Sequence, residues 1–221
     1  IHIVEPGLNE LVSEAVTSGR LIATKHAESA DAFIIAVPTP FVEDSHEPDL
    51  SFVKAACESI GPVLTQGSLI VIESTSPVGT TLAVAEWLQH LRPDLTFPHV
   101  AGDTSDIRVA YCPERVLPGK VLGELVSNDR VIGGMTLSCS KLAAQLYSTF
   151  VQGDCVHVSS PAVAELSKLA ENSFRDVNIA FANELSMVCD TLGVSVWETI
   201  AVANRHPRVN ILQPGPGVGG H

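Results

Sequence analysis

The stretch "DAFIIAVPTPF" (31–41) decides the fold. From Phe33 to Val37 it contains no polar residue, it is rich in β-branched side chains, and two prolines then stop it. An apolar run of that length without alternation reads as a strand covered on both faces, the signature of a parallel sheet flanked by helices. The same pattern recurs in "SLIVIES" (68–74), "DIRVAYCP" (106–113), "DRVIGG" (129–134) and "DCVHVS" (154–159), with helical patterns between them near 49–65, 80–91 and 138–151. Strands and helices in alternation predict an α/β fold with a doubly wound parallel sheet.

Beyond Ser160 the pattern changes. "SPAVAELSKLAENSFRDVNIAFANELSMVCDTLG" has no proline or glycine between Pro161 and Gly193. It predicts one long helix with Ser160 as cap, Pro161 in the first turn and Gly193 as the stop. "SVWETIAVAN" (195–204) predicts a second helix, followed by a loop rich in Pro and Gly. The domain boundary is placed at 158–161, giving units 1–159 and 160–221. Trp87, Trp197 and the phenylalanines are assigned to the core.

The net charge of −12 (13 Lys and Arg against 25 Asp and Glu) sets up a field that repels a phosphate backbone, which excludes nucleic acid as a partner. The longest apolar runs fall well short of a membrane span, so no membrane role is expected and a cytoplasmic location is. Five separate cysteines, with no C-x-x-C among them, fit reduced thiols and no metal site.

Open α/β sheets bind ligands at the carboxyl ends of their strands. The loops there read "VPTPF", "ESTSPVGTT" and "YCPERVLPG". They supply hydroxyls at Thr39, Ser74, Thr75, Ser76, Thr80 and Thr81 and a carboxylate at Glu114, although helix capping explains any single hydroxyl equally well. The dinucleotide fingerprint G-x-G-x-x-G is absent, since "VIGG" (131–134) runs into Met135 and Thr136. Either the ligand is not a dinucleotide or a first βαβ unit lies outside this chain. On the long helix, Glu165, Lys168, Asn172 and Arg175 share one face, while Val163, Leu166, Ala170, Phe174 and Val177 can fill another. The alternative reading of that stripe is an ordinary solvated face.

Taken together, "IIAVPTPF", "ESTSPVGTT", "YCPERVLPGK", "ELSKLAENSFRDVNIAFANEL" and "NRHPRVNILQPGPGVGGH" resemble the UDP-glucose/GDP-mannose dehydrogenase family along the whole chain. The resemblance implies an NAD-binding domain lacking its first βαβ unit, then a long central helix that forms a homodimer. It implies that the first strand precedes Ile1 and that a catalytic cysteine follows His221, so that this chain alone is inactive. The implied reaction takes the C6 alcohol of a UDP-sugar to a carboxylate in two hydride transfers to NAD, through a cysteine thiohemiacetal and thioester, for surface polysaccharide precursors.

Residue by residue, the resemblance makes Lys168, Asn172 and Glu114 catalytic and assigns Thr39, Thr75 and Thr81 to the cofactor. It assigns Arg115, Val116, Lys168, Asn172, Arg175, His206, Arg208 and Gly219 to the substrate. "RVLPG" after Glu114 departs from the glucose- and mannose-oxidising relatives and points to a UDP-N-acetylhexosamine, UDP-N-acetylmannosamine first. Cys112 is read as a packing residue. A β-hydroxyacid dehydrogenase and a non-catalytic dimerisation or binding fragment are the alternatives, and "GPGVGGH" and "YCPERV" argue against the first.

Overall fold

The computed structural model describes residues 5–42, 45 and 47–217, in two compact units that divide between Leu166 and Ser167. The first unit is a five-stranded sheet in the order β1 (Ala32–Ile35), β2 (Leu69–Ile72), β3 (Arg108–Tyr111), β4 (Arg130–Gly134), β5 (Cys155–His157). Its described helices are α1 (Leu8–Thr17), α2 (Ser51–Ile60), α3 (Thr80–Leu91), α4 (Pro98–Ala101), α5 (Val121–Ser127) and α6 (Leu137–Tyr147).

β2 shows why the apolar runs become sheet. All four of its residues are buried. Ile70 and Ile72 join Val84, Leu88 and Tyr111 in one core cluster, while Leu69 and Val71 join Ala143 and Tyr147 of α6 in another. Successive residues therefore feed opposite faces, each covered by helices. Burying each such side chain contributes about 1.5–3 kcal/mol.

The sheet departs from the expected parallel arrangement at one junction, beyond which β4 and β5 both run opposite to β1–β3. β1–β2, β2–β3 and β4–β5 pair in parallel, but β4 runs antiparallel to β3, with Ala110 opposite Gly134 and Tyr111 opposite Gly133. A parallel neighbour needs a crossover helix laid across the sheet, whereas the 112–129 connection contains only the seven-residue α5. Gly133 and Gly134 make the tight packing of β4 possible. A Cβ on Gly133 would stand 2.7 Å from the Pro161 Cα, and one on Gly134 would stand 2.3 Å from the Ser140 nitrogen.

α1, α4 and α5 carry no expectation from the sequence. α1 buries none of its residues. Among the described residues β1 pairs with β2 alone, and its Ile34 is 48% exposed.

α7 (Pro161–Leu192) is a single 32-residue helix that starts in the first unit and continues into the second, and α8 (Val196–Ala203) follows it. Gly193, at φ 69°, makes the turn that ends α7. Ser195 then caps α8 by accepting from the Glu198 N–H. Trp197 is 58% exposed, and Phe41, Phe52, Phe150, Phe174 and Phe181 are also exposed. Of the aromatic residues assigned to the core, Phe97 is fully buried, and Trp87 and Phe33 are partly buried against the core cluster. The pattern of the isolated helices cannot show that much of the second unit's apolar surface stays uncovered.

Candidate active site

The carboxyl ends of β1 and β2 are tied together by short polar bonds. The Ser74 hydroxyl accepts from the Val37 N–H at 2.8 Å and donates to the Val37 carbonyl at 2.7 Å. The Thr39 hydroxyl donates to the Thr75 carbonyl, and Thr39 and Thr75 are both half-buried at the mouth of this loop pair. Tyr111 of β3 reaches the same loop by donating its hydroxyl to the Ser74 carbonyl at 3.1 Å. Desolvation by burial pushes that phenol well above its ordinary pKa, so it stays a neutral donor.

α3 starts at this loop, and a helix N-terminus is a natural anion site. In this fold a carboxylate of the chain already fills it. Glu165, 0% exposed, accepts from the Gly79 N–H at 2.7 Å, the Thr81 N–H at 2.8 Å and the Thr81 hydroxyl at 2.6 Å. Glu165 thus faces the start of α3 and not the solvated stripe that was the alternative reading of this helix face, and Thr81, fully buried, gives its N–H and hydroxyl to the cap. The preceding turn "SPVG" leaves Val78 and Gly79 exposed, as Ala36 and Pro38 are across from it. Small apolar side chains and backbone, with Thr39 and Thr75 between them, fit the flat ring and ribose of a nicotinamide cofactor. The α3 N-terminus does not fit its phosphates.

Glu114, Arg115 and Val116 lie in the loop between β3 and α5, all half-buried. Glu114 accepts from the Val116 N–H. The Arg115 guanidinium donates to the Asp129 carbonyl at 3.4 Å, and the Arg115 carbonyl accepts from the Asn128 amide at 3.1 Å, which closes the loop on itself. Glu5, absent from the expectations, holds the far side by accepting from Gly119 and Val121 N–H at 2.8 and 2.7 Å. Its place in "VEPGL", just before the glycine that opens α1, offered no signal for a bond more than a hundred residues away.

Cys112, beside this loop, is fully buried, and burial pushes its thiol up to about 12. A thiol with that environment is not a nucleophile near neutrality. Tyr147 packs in the same cluster and donates its hydroxyl to Glu73 at 2.6 Å, while the buried Arg130 guanidinium lies 5.2 Å from the Tyr147 ring centre.

In the second unit, Lys168, Asn172 and Arg175 are half-buried on α7 at helical spacing. His206 and Arg208 are exposed, and the His206 Nδ1 accepts from the Arg208 N–H at 3.3 Å. Arg208 lines a cleft of about 420 Å³ with Phe174, Val177, Phe181 and Ile211. Gly217 returns to α7, where a Cβ would stand 3.0 Å from Asp176 Oδ1, one helical turn beyond Asn172. Gly219 lies outside the described residues. No group of His, Cys, Asp and Glu among the described residues can hold a metal ion, and no helix there is long and apolar enough to cross a membrane.

Residues 1–151 match the NAD binding domain of the UDP-glucose/GDP-mannose dehydrogenase family and residues 162–221 match its central domain. The chain belongs to this family. It is 65% identical over all 221 residues to the NDP-N-acetyl-D-galactosaminuronic acid dehydrogenase of Ralstonia solanacearum and 61% identical to the UDP-N-acetyl-D-mannosamine dehydrogenase of Escherichia coli K12. Each match covers 100% of this chain and 52% of the relative. The UDP-N-acetyl-mannosamine dehydrogenase Cap5O from Staphylococcus aureus superposes with a TM-score of 0.85 at 47% identity, over 100% of this chain and 52% of that one. The UDP-D-ManNAc dehydrogenase from Pyrococcus horikoshii gives 0.89 at 42%, over 100% and 51%. The chain thus spans about half the length of the relatives it matches.

Proposed function

We propose that this chain is the cofactor-binding and central part of an NAD-dependent UDP-sugar 6-dehydrogenase whose substrate is a UDP-N-acetylhexosamine, UDP-N-acetyl-D-mannosamine first. The observation that carries the reading lies within the second unit. Lys168 and Asn172 share one face of α7, and the Gly-rich loop comes back against that helix at Asp176, one turn further on. A cation and an amide so placed, beside a glycine loop whose backbone can approach closely, suit an oxygen that gains negative charge as the sugar alcohol is oxidised. The relatives named for N-acetylated sugars support the choice of substrate.

In this reading Lys168 either stabilises the developing alkoxide as a cation or, in its neutral form, takes the proton of the alcohol, and the Asn172 amide orients the same oxygen or a water. Glu114, placed by its bond from Val116, orients or deprotonates a water during hydrolysis. Bound NAD supplies the hydride acceptor. Thr39 and Thr75 flank its ring. Arg175, His206 and Arg208 take the nucleotide diphosphate, for which the planar fork of an arginine offers two parallel hydrogen bonds, and Arg115 and Val116 contact the sugar. The exposed Met187, Val188 and Leu192 of α7 would pair with a second copy of the chain. The reading also places the enzyme in the cytoplasm, where nucleotide sugars and NAD are available.

Isothermal titration with UDP-N-acetylmannosamine, UDP-glucose and GDP-mannose tests the substrate assignment. The first should bind about tenfold more tightly than the other two, the upper end of what one net hydrogen bond contributes. Equal affinities would refute the N-acetylhexosamine assignment.

A further inference from the structure

Three asparagines hold the loop that follows α8, and sequence reasoning assigned none of them a role. The Asn178 amide donates to the Asn210 carbonyl at 3.2 Å and accepts from the Leu212 N–H at 2.9 Å. Asn183 both donates to and accepts from Gly215, each at 2.9 Å. Asn204 does the same to Ile211 at 2.9 and 2.8 Å. Each side chain behaves as one peptide unit of a neighbouring strand, so the loop gains six ladder-like bonds without a strand beside it.

The loop needs them. Pro214 and Pro216 have no N–H to donate, and the glycines between and after them lose more freedom on ordering than any other residue. Asparagine is also a poor helix former, so Asn178 and Asn183 within α7 cost the helix stability and return it to the loop. Asn178 and Asn183 are five residues apart, about 7.5 Å along the axis. The loop therefore runs along α7 from 210 to 215 and then folds back to Asp176 at Gly217, whose φ is +83°. Arg208 stands at the start of this strap, in the cleft with Phe174, Val177 and Phe181.

We propose that Asn178, Asn183 and Asn204 are positioning residues that preorganise the 208–217 loop, so that Arg208 and the glycine backbone meet a UDP-sugar without a further ordering cost. The proposal rests on the reading of this loop as the nucleotide-sugar site. Preorganisation raises affinity by removing the entropy of ordering from the binding step.

The test uses the full-length polypeptide carrying this chain, with Asn178→Ala and Asn183→Ala combined, and Asn178→Asp as the conservative variant that keeps the acceptor for Leu212. Amide hydrogen exchange at Leu212 and Gly215 should speed up roughly tenfold or more in the double variant, with Leu212 still partly protected in Asn178→Asp. By titration, the affinity for UDP-N-acetylmannosamine should fall about tenfold while that for NAD stays within a factor of about two. Unchanged amide protection would overturn the strap, and lost protection with unchanged UDP-sugar affinity would overturn its positioning role. Equal losses for NAD and the UDP-sugar would show a general structural effect and also overturn it. If the unsubstituted full-length polypeptide binds no UDP-sugar, the site reading beneath the proposal is overturned instead.

Discussion

Replacing Glu165 by alanine should destabilise the first unit more than any other change to a single polar side chain. The carboxylate is fully buried and accepts from two backbone amides and one hydroxyl at the start of α3. Without it the Gly79 and Thr81 N–H groups lose their acceptor, at about 1–3 kcal/mol for each unsatisfied donor. The negative charge at the helix N-terminus contributes up to about 1 kcal/mol more. Water entering the vacated space returns part of this, which leaves a loss of about 3 kcal/mol. In a unit of this size that corresponds to a fall in Tm of roughly 6–12 °C. Glu165→Gln retains one acceptor oxygen and should lose about half as much. Thermal and urea unfolding of the three proteins, followed by circular dichroism, measures both. A Tm within about 2 °C of the parent for Glu165→Ala would refute the cap.

The thiols should separate by burial. Cys57 and Cys112, both pushed up to about 12 by desolvation, should resist alkylation in the native protein at about pH 8, while half-buried Cys155 reacts first, as mass spectrometry after iodoacetamide would show. Asp106 accepts from the hydroxyl and N–H of Thr96, which hold its carboxyl below the usual range. Its contribution to stability is present above the ordinary carboxylate pKa of about 4 and is lost as pH falls through the lowered folded value, so Asp106→Asn should flatten the urea midpoint below about pH 4. An unchanged acid limb would count against it. Glu5→Gln should accelerate exchange of the Gly119 and Val121 amides by about tenfold, and equal protection would show that another group holds the loop.

The layout of the sheet was legible because the pattern of each strand is local. Ile70 and Ile72 must face one side and Leu69 and Val71 the other, and no other arrangement buries all four. The direction of β4 was not legible, since antiparallel and parallel strands buried on both faces have the same composition. The long helix and its Gly193 stop followed from punctuation. The partner of Glu165 did not, because Thr81 lies 84 residues away and the spacing from Glu165 to Lys168 suits a solvated face equally well. The three asparagines escaped for the same reason. Each reads as a poor helix residue until the loop it holds is in place, and the candidate site was visible as motifs while its internal bracing was not.

In the proposed reaction the α7 lysine acts on the hydroxyl oxygen of the UDP-sugar alcohol that is oxidised. Steady-state kinetics of the full-length polypeptide carrying this chain test it most directly, with UDP-N-acetylmannosamine and NAD as substrates and Lys168→Ala as the variant. The parent should give two reduced nicotinamides per sugar. The variant should show a kcat lower by roughly 100- to 1,000-fold, with KM for the sugar nucleotide changed only a few-fold. A variant with near-normal kcat, or one whose loss lies entirely in KM, would contradict it.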